Sequence, residues 1–266
     1  MMEQKQITMI VSIILVVALF LGIVYYVKEN SGVNPPFTVI QSQSMQHSND
    51  SQIGVIDTGD MIYVQNTEKH GITTFMEGYA SGYKSFGDYG DVIIYNRTGN
   101  NPVIHRAIMW MEWTGSNWDL SSLQNYDETL WDIDGTHNTS VTSGTLNITI
   151  KNDYRDKTYT LNIGSLIQSS GYLTLGDNNS VFDQNSGISY NVLISKERIK
   201  SVAHTEIPWL GVLKLMINGE YDKVENNVPS SPVYLIVFII TLVLVIFSIV
   251  YIYDEFNLML ISKKLR

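Results

Sequence analysis

The chain has 266 residues, a formal net charge of −9 and no cysteine. That length suits one sizeable domain or two small ones. The composition excludes disulfides, a thiol nucleophile and thiolate metal sites, and the acidic balance gives no electrostatic case for nucleic-acid binding.

The first element in chain order is residues 7–27, ITMIVSIILVVALFLGIVYYV, 21 residues without a charge. A helix crossing a bilayer core needs about 20 apolar residues. The polar sequence KENS follows, with no A-x-A-like site, so this reads as an uncleaved anchor. A second apolar run of 21 residues, VYLIVFIITLVLVIFSIVYIY, occupies 233–253. Two spans put both termini on one side of the membrane. Lys5, Lys263, Lys264 and Arg266 flank the spans, and short basic flanks stay in the cytoplasm. Residues 1–6 and 254–266 are therefore expected inside, and 28–232 on the extracytoplasmic side. Sequons at Asn49, Asn96, Asn138, Asn147 and Asn178 are consistent with that side.

Between the spans, helical periodicity is scarce. Short β-branched and aromatic runs predict strands at 61–65 (MIYVQ), 91–95 (DVIIY), 102–110 (PVIHRAIMW), 146–151 (LNITIK) and 158–163 (TYTLNI). NRTGNNP, 96–102, contains Gly and Pro and predicts a connection between two of them. The aromatic run MWMEWTGSNW, 109–118, suits core packing better than a membrane-interface belt. No repeat of 20–50 residues is present. The expected fold class is mainly β: an extracytoplasmic antiparallel β domain flanked by one N-terminal and one C-terminal transmembrane helix.

Three polar groups interrupt these strands. The first is Ser42 and Ser44 in QSQSMQHSND, which local composition alone would assign to a linker. The second is His105–Arg106, inside an otherwise apolar strand. The third is GDNNSVFDQ, 176–184, with carboxylates at Asp177 and Asp183. His105 shares a strand face with Val103 and Ala107, a setting that suits a packed core histidine as well as a base. His47, His70, His137 and His204 lie in polar or Gly-rich surroundings and read as surface residues. Ser81 to Lys84, SGYK, matches an S-x-x-K pattern, but the S-D-N and K-T-G partners are missing. Serine, histidine and aspartate together can support acyl transfer by a serine nucleophile. A non-catalytic, membrane-anchored β domain binding a surface partner is the alternative.

These groups, in this order and between these spans, resemble type I signal peptidase, most closely its archaeal and endoplasmic-reticulum branch. The matching residues are S-x-S-M at Ser42, Ser44 and Met45, GDVII at 90–94, His105–Arg106, GDNN at 176–179, and a second acid six positions on at Asp183. Residues 197–217 are similar to the segment leading to the second span. Residues 66–88 and 111–171 fall outside the resemblance and read as insertions. The chain departs from the family at Gln43, where glycine is usual, at His47, where proline is usual, and at Gln184, where a charged residue is often found. The lysine base of the bacterial branch does not fit, since His105 stands there.

The resemblance implies a membrane-bound serine endopeptidase that removes signal peptides after small residues, with Ser44 as nucleophile and His105 as general base. Asp183, or alternatively Asp177, would orient the histidine. The Ser44 backbone N–H and the Ser42 hydroxyl would hold the oxyanion, and Met45 and Arg106 would contact substrate. No metal or cofactor is implied. The implied partners are signal-peptide-bearing preproteins, the lipid bilayer and the protein-export translocon.

Overall fold

The computed structural model describes residues 4–97 and 102–264. Helix α1 (Gln4–Ser31) leads to strands β1 (Phe37–Val39) and β2 (Met61–Gln65) and to helices α2 (Thr67–His70) and α3 (Phe75–Ser81). Next come the ribbon β3 (Lys84–Ser85) and β4 (Asp88–Tyr89), then β5 (Val92–Tyr95) and the long β6 (Val103–Trp113). Strands β7 (Trp118–Asp119), β8 (Trp131–Ile133), β9 (Ser140–Val141), β10 (Thr145–Lys151), β11 (Asp156–Asn162) and β12 (Gly171–Leu175) follow. The chain ends with β13 (Ile199–Ile207), α4 (Leu210–Ile217), α5 (Tyr221–Asn227) and α6 (Ser231–Lys264).

The two apolar runs form helices, and Ile10–Ser31 and Ser231–Tyr253 are each long and apolar enough to cross a membrane. Both expose large aliphatic side chains all round. A helix that is apolar on every face needs an apolar surrounding, which this β domain does not provide. The five expected strands all form. Two start a residue late: β6 begins at Val103, after Pro102, and β5 at Val92, where the Asp91 side chain turns away to accept the Thr73 N–H at 2.7 Å. Residues 98–101 of the predicted 96–102 connection lie outside the described residues.

Every paired strand runs antiparallel to its neighbour. The main sheet has the order β1-β2-β13-β5-β6-β7-β9, and β12 also pairs with β6. Strand β6 is the organiser: its first residues pair with β5, its middle with β12 and its end with β7. Strand β13 was not predicted. Lys200 and His204 interrupt its alternation, and only its pairing with β2 and β5 makes it a strand.

The 111–171 segment builds a second sheet, β8-β10-β11, rather than a surface appendage. Leu146, Ile148 and Ile150 alternate inward along β10 and join Tyr159 and Leu161 in one core with Phe75, Met109, Leu173 and Phe182. Each such side chain contributes about 1.5–3 kcal/mol when removed from water. Met109, Met111 and Trp118 belong to this core, as expected for the aromatic run. In the 66–88 segment, Thr74 and Glu77 form a capping box that starts α3. Gly78 lets that helix approach the strand, since a Cβ there would lie 2.4 Å from the Gly90 nitrogen.

A candidate serine–histidine–aspartate site

His105 enters the site because β6 carries it inward opposite Ile93 of β5. Its Nδ1 lies 2.8 and 2.9 Å from the two carboxylate oxygens of Asp183. Asp183 opens the short helical turn Asp183–Asn185, and both residues of the pair are buried. The hydroxyls of Tyr95, at the end of β5, and Thr174, on β12, each donate to Asp183 at 2.6 Å. Burial, and then the neighbouring Asp183 charge, push the Tyr95 phenol far above its ordinary range, so it remains a donor. With Nδ1–H directed at the carboxylate, Nε2 of the neutral ring is left as an acceptor.

The stretch that local composition alone would assign to a linker is a folded loop. Its entry is fixed by Ile40, whose N–H donates to the Asp60 carbonyl and whose carbonyl accepts from Gly59, both at 3.0 Å. Met45 then drops into a buried cluster with Ile40, Ile56, Ile62 and Val92. Between these anchors, Ser42 Oγ and Ser44 Oγ stand 3.3 Å apart. The 176–179 turn grips the loop from the other side: the Asn178 N–H donates to the Ser44 carbonyl at 2.9 Å, and the Asn178 side-chain amide donates to the Gln43 carbonyl at 3.0 Å.

Gly176 marks where the two halves meet. A Cβ there would lie 2.7 Å from the Ser44 carbonyl oxygen and 2.8 Å from His105 Nε2. Ser42, Ser44 and His105 line a single open cavity of about 550 Å³, with Thr38 to Gln41 on one wall and Pro102 to Ile104 on another.

Asp177 takes a different place. Arg106 Nε and Nη2 donate to its two oxygens at 2.9 and 2.6 Å, and His47 Nε2 lies 3.0 Å from one of them. Burial alone would raise this carboxyl; the Arg106 guanidinium beside it, helped by His47 and Arg155, holds it well below the usual carboxylate range. Of the two acids offered by the sequence, the one on His105 is Asp183, and Asp177 is turned instead toward Arg106 and His47. Two other expectations are corrected here. Arg106 does not face substrate: it is fully buried and also donates to the carbonyls of Ser85 and Gly90, at 3.0 and 2.8 Å. Met45 is a buried anchor rather than a substrate contact.

No protein-family model matches this chain, and no curated protein matches its sequence.

Several residues of the site were missed. Tyr95 and Thr174 gave no local signal, since ordinary strand residues show their role only once the sheet closes. His47 was expected at the surface, yet its side chain is 6 % exposed. His70 is also partly buried, 3.4 Å from Asp91, whereas His137 and His204 are exposed. Gln184, where the family often carries a charge, is buried and holds β12 by accepting the Thr174 N–H at 3.3 Å. The SGYK match has no part in the site. Ser81 donates back into α3 at the Glu77 carbonyl, and Lys84 lies over the Tyr89 ring.

Proposed function

We propose that this chain is a membrane-bound serine endopeptidase of the signal peptidase type, acting on exported preproteins after small residues. One observation carries the reading. A histidine fixed through Nδ1 by a buried carboxylate at 2.8 Å shares a cavity with two serines. Ser44 attacks the scissile carbonyl, and His105 Nε2 takes its proton and returns it to the departing amine. Asp183 holds the tautomer and stabilises the imidazolium that forms. The Ser42 hydroxyl, 3.3 Å from the nucleophile, and the Ser44 N–H meet the oxyanion. An extended peptide enters between residues 38–42 and 102–105, as a strand added beside β1.

The two apolar helices act as spans, with residues 28–232 on the extracytoplasmic side. Helix α4 supports contact with lipid, since Leu213, Met216 and Ile217 are 41, 53 and 85 % exposed on its outer face. Its inner face, Val212 and Leu215, packs on Leu235 of α6, and Val39 of the cavity wall packs on the same cluster. The cavity thus adjoins the membrane end of the domain, where a signal peptide would emerge, and translocon contact would follow from that position.

The test uses the full-length protein in nanodiscs with a panel of preproteins carrying A-x-A sites. Wild type releases the mature chain and Ser44→Ala does not. Cleavage that survives Ser44→Ala, or none across the panel, overturns the reading.

A further inference from the structure

We infer that His47 is a positioning residue for the Ser44–His105 pair, and that the 152–155 turn of the second sheet holds it in place. The inference rests on the peptidase reading and adds to it a role for the segment that the family resemblance leaves uncovered.

His47 follows Ser44 by three residues and reaches back to the turn that carries Gly176. Its Nε2 lies 3.0 Å from Asp177 Oδ2. Asp177 is kept ionised by Arg106, so it can only accept, and Nε2 must carry a proton whether the ring is neutral or charged. One face of the imidazole stacks on Tyr154, with centroids 3.5 Å apart and planes 9° from parallel. Gly87 also presses on the ring: a Cβ there would lie 2.8 Å from His47 Cε1. The ring is wedged between groups from two other segments and tied by one hydrogen bond.

Tyr154 is itself fixed. Its hydroxyl, the Asn152 amide and the Arg155 guanidinium donate to one oxygen of Asp88 at 2.6, 2.9 and 2.8 Å. Arg155 also donates to the Asp177 carbonyl at 3.2 Å. The tip between β10 and β11 therefore braces both members of the His47–Asp177 contact. The nucleophile loop is tied to the 176–179 turn at three points, at Gln43 and Ser44 through Asn178 and at His47 through Asp177. Removing the His47 tie leaves the two Asn178 bonds as the remaining links to that turn, and the loop can shift about them, which moves Ser44 relative to His105 while the cavity walls stay in place.

The experiment measures kcat and KM on a preprotein with full-length variants in nanodiscs, alongside thermal unfolding. His47→Leu removes the donor and lowers kcat about 10- to 100-fold with KM little changed, the signature of a misplaced reacting group. His47→Gln, whose amide can donate to Asp177, recovers most of kcat. Tyr154→Ala lowers kcat in the same way, and the double variant His47→Leu/Tyr154→Ala is no worse than His47→Leu, because both act through one contact. A folded His47→Leu with wild-type kcat overturns the inference, as does a loss that His47→Gln does not recover. If His47→Leu fails to fold, Tyr154→Ala and His47→Gln decide by the same criteria. Absence of Ser44-dependent cleavage in wild type would instead sink the peptidase reading itself.

Discussion

At the scale of single residues, Asp183 is defined by the donors it satisfies. His105, Tyr95 and Thr174 converge on one buried carboxylate, whereas Asp177 is turned away from His105 to Arg106 and His47. Asp183→Asn should therefore cut kcat by up to about 10⁴-fold, as an amide would favour the wrong imidazole tautomer. His105→Lys should not support cleavage, because an ammonium beside the buried Asp183 would pair with it and stay protonated rather than accept the serine proton. Both are read as preprotein cleavage at fixed enzyme concentration. A separate group of acids sets a dependence of stability on pH. Burial, with lesser repulsion from neighbouring carboxylates, pushes Asp60 up to about 8 and Glu206 up to about 7; burial pushes Asp57 up to about 6. Acids with raised folded values bind protons more tightly folded than unfolded. Their stabilisation is complete below the ordinary carboxylate range and is lost as pH rises through the folded values. Thermal unfolding followed by circular dichroism should show Tm falling between about pH 5 and 8 from this group. Glu206→Gln should flatten the fall, because its one bond, from the Gly54 N–H, survives in an amide.

At the scale of elements, two glycines make testable contacts. Gly90 opens the strand of the GDVII segment at φ 72°, and a Cβ there would lie 2.5 Å from the Phe75 nitrogen. Gly90→Ala should cost at least about 1–2 kcal/mol from the left-handed conformation alone, with the clash against α3 added, and should lower Tm. Gly176 has no positive φ, so its requirement is space. Gly176→Ala would press a methyl between the Ser44 carbonyl and His105 Nε2, and should lower kcat more than it lowers Tm. Comparing the two variants by unfolding and by cleavage separates a packing glycine from a site glycine. Several of these elements were readable beforehand. MIYVQ, VIIY and LNITIK carry β-branched residues in runs short enough for strands and are bounded by turn formers. Strand β13 was not, because IKSVAHTEI has no clean alternation and is held by its neighbours β2 on one side and β5 on the other.

At the scale of the whole molecule, the proposed arrangement predicts that protease added to sealed vesicles with the cytoplasmic face outward trims only the termini. Digestion within residues 28–232 without detergent would contradict it. The apolar ends, the antiparallel β character between them and the order of the Ser, His and Asp groups were all legible in the sequence. They depend on local pattern: the length of an apolar run, the alternation of a strand, the types of residue in a short stretch. The partners within the site were not legible. His47 and Asp177 are 130 positions apart, and Tyr95 and Asp183 are 88 apart. Asp177 and Asp183 sit in one short acidic stretch, and sequence alone left the choice between them open. The closure of β5, β6 and β12 into one sheet sends Asp183 to His105, while the preceding turn presents Asp177 to Arg106 and His47. Met45 is buried against Ile62 of β2 and Val92 of β5, and Arg106 against Asp177 and the 85–90 carbonyls, although as letters beside a serine and a histidine they had suggested contact with substrate. Sequence determined which groups were available; the burial and hydrogen-bond satisfaction imposed by tertiary packing decided which of them meet.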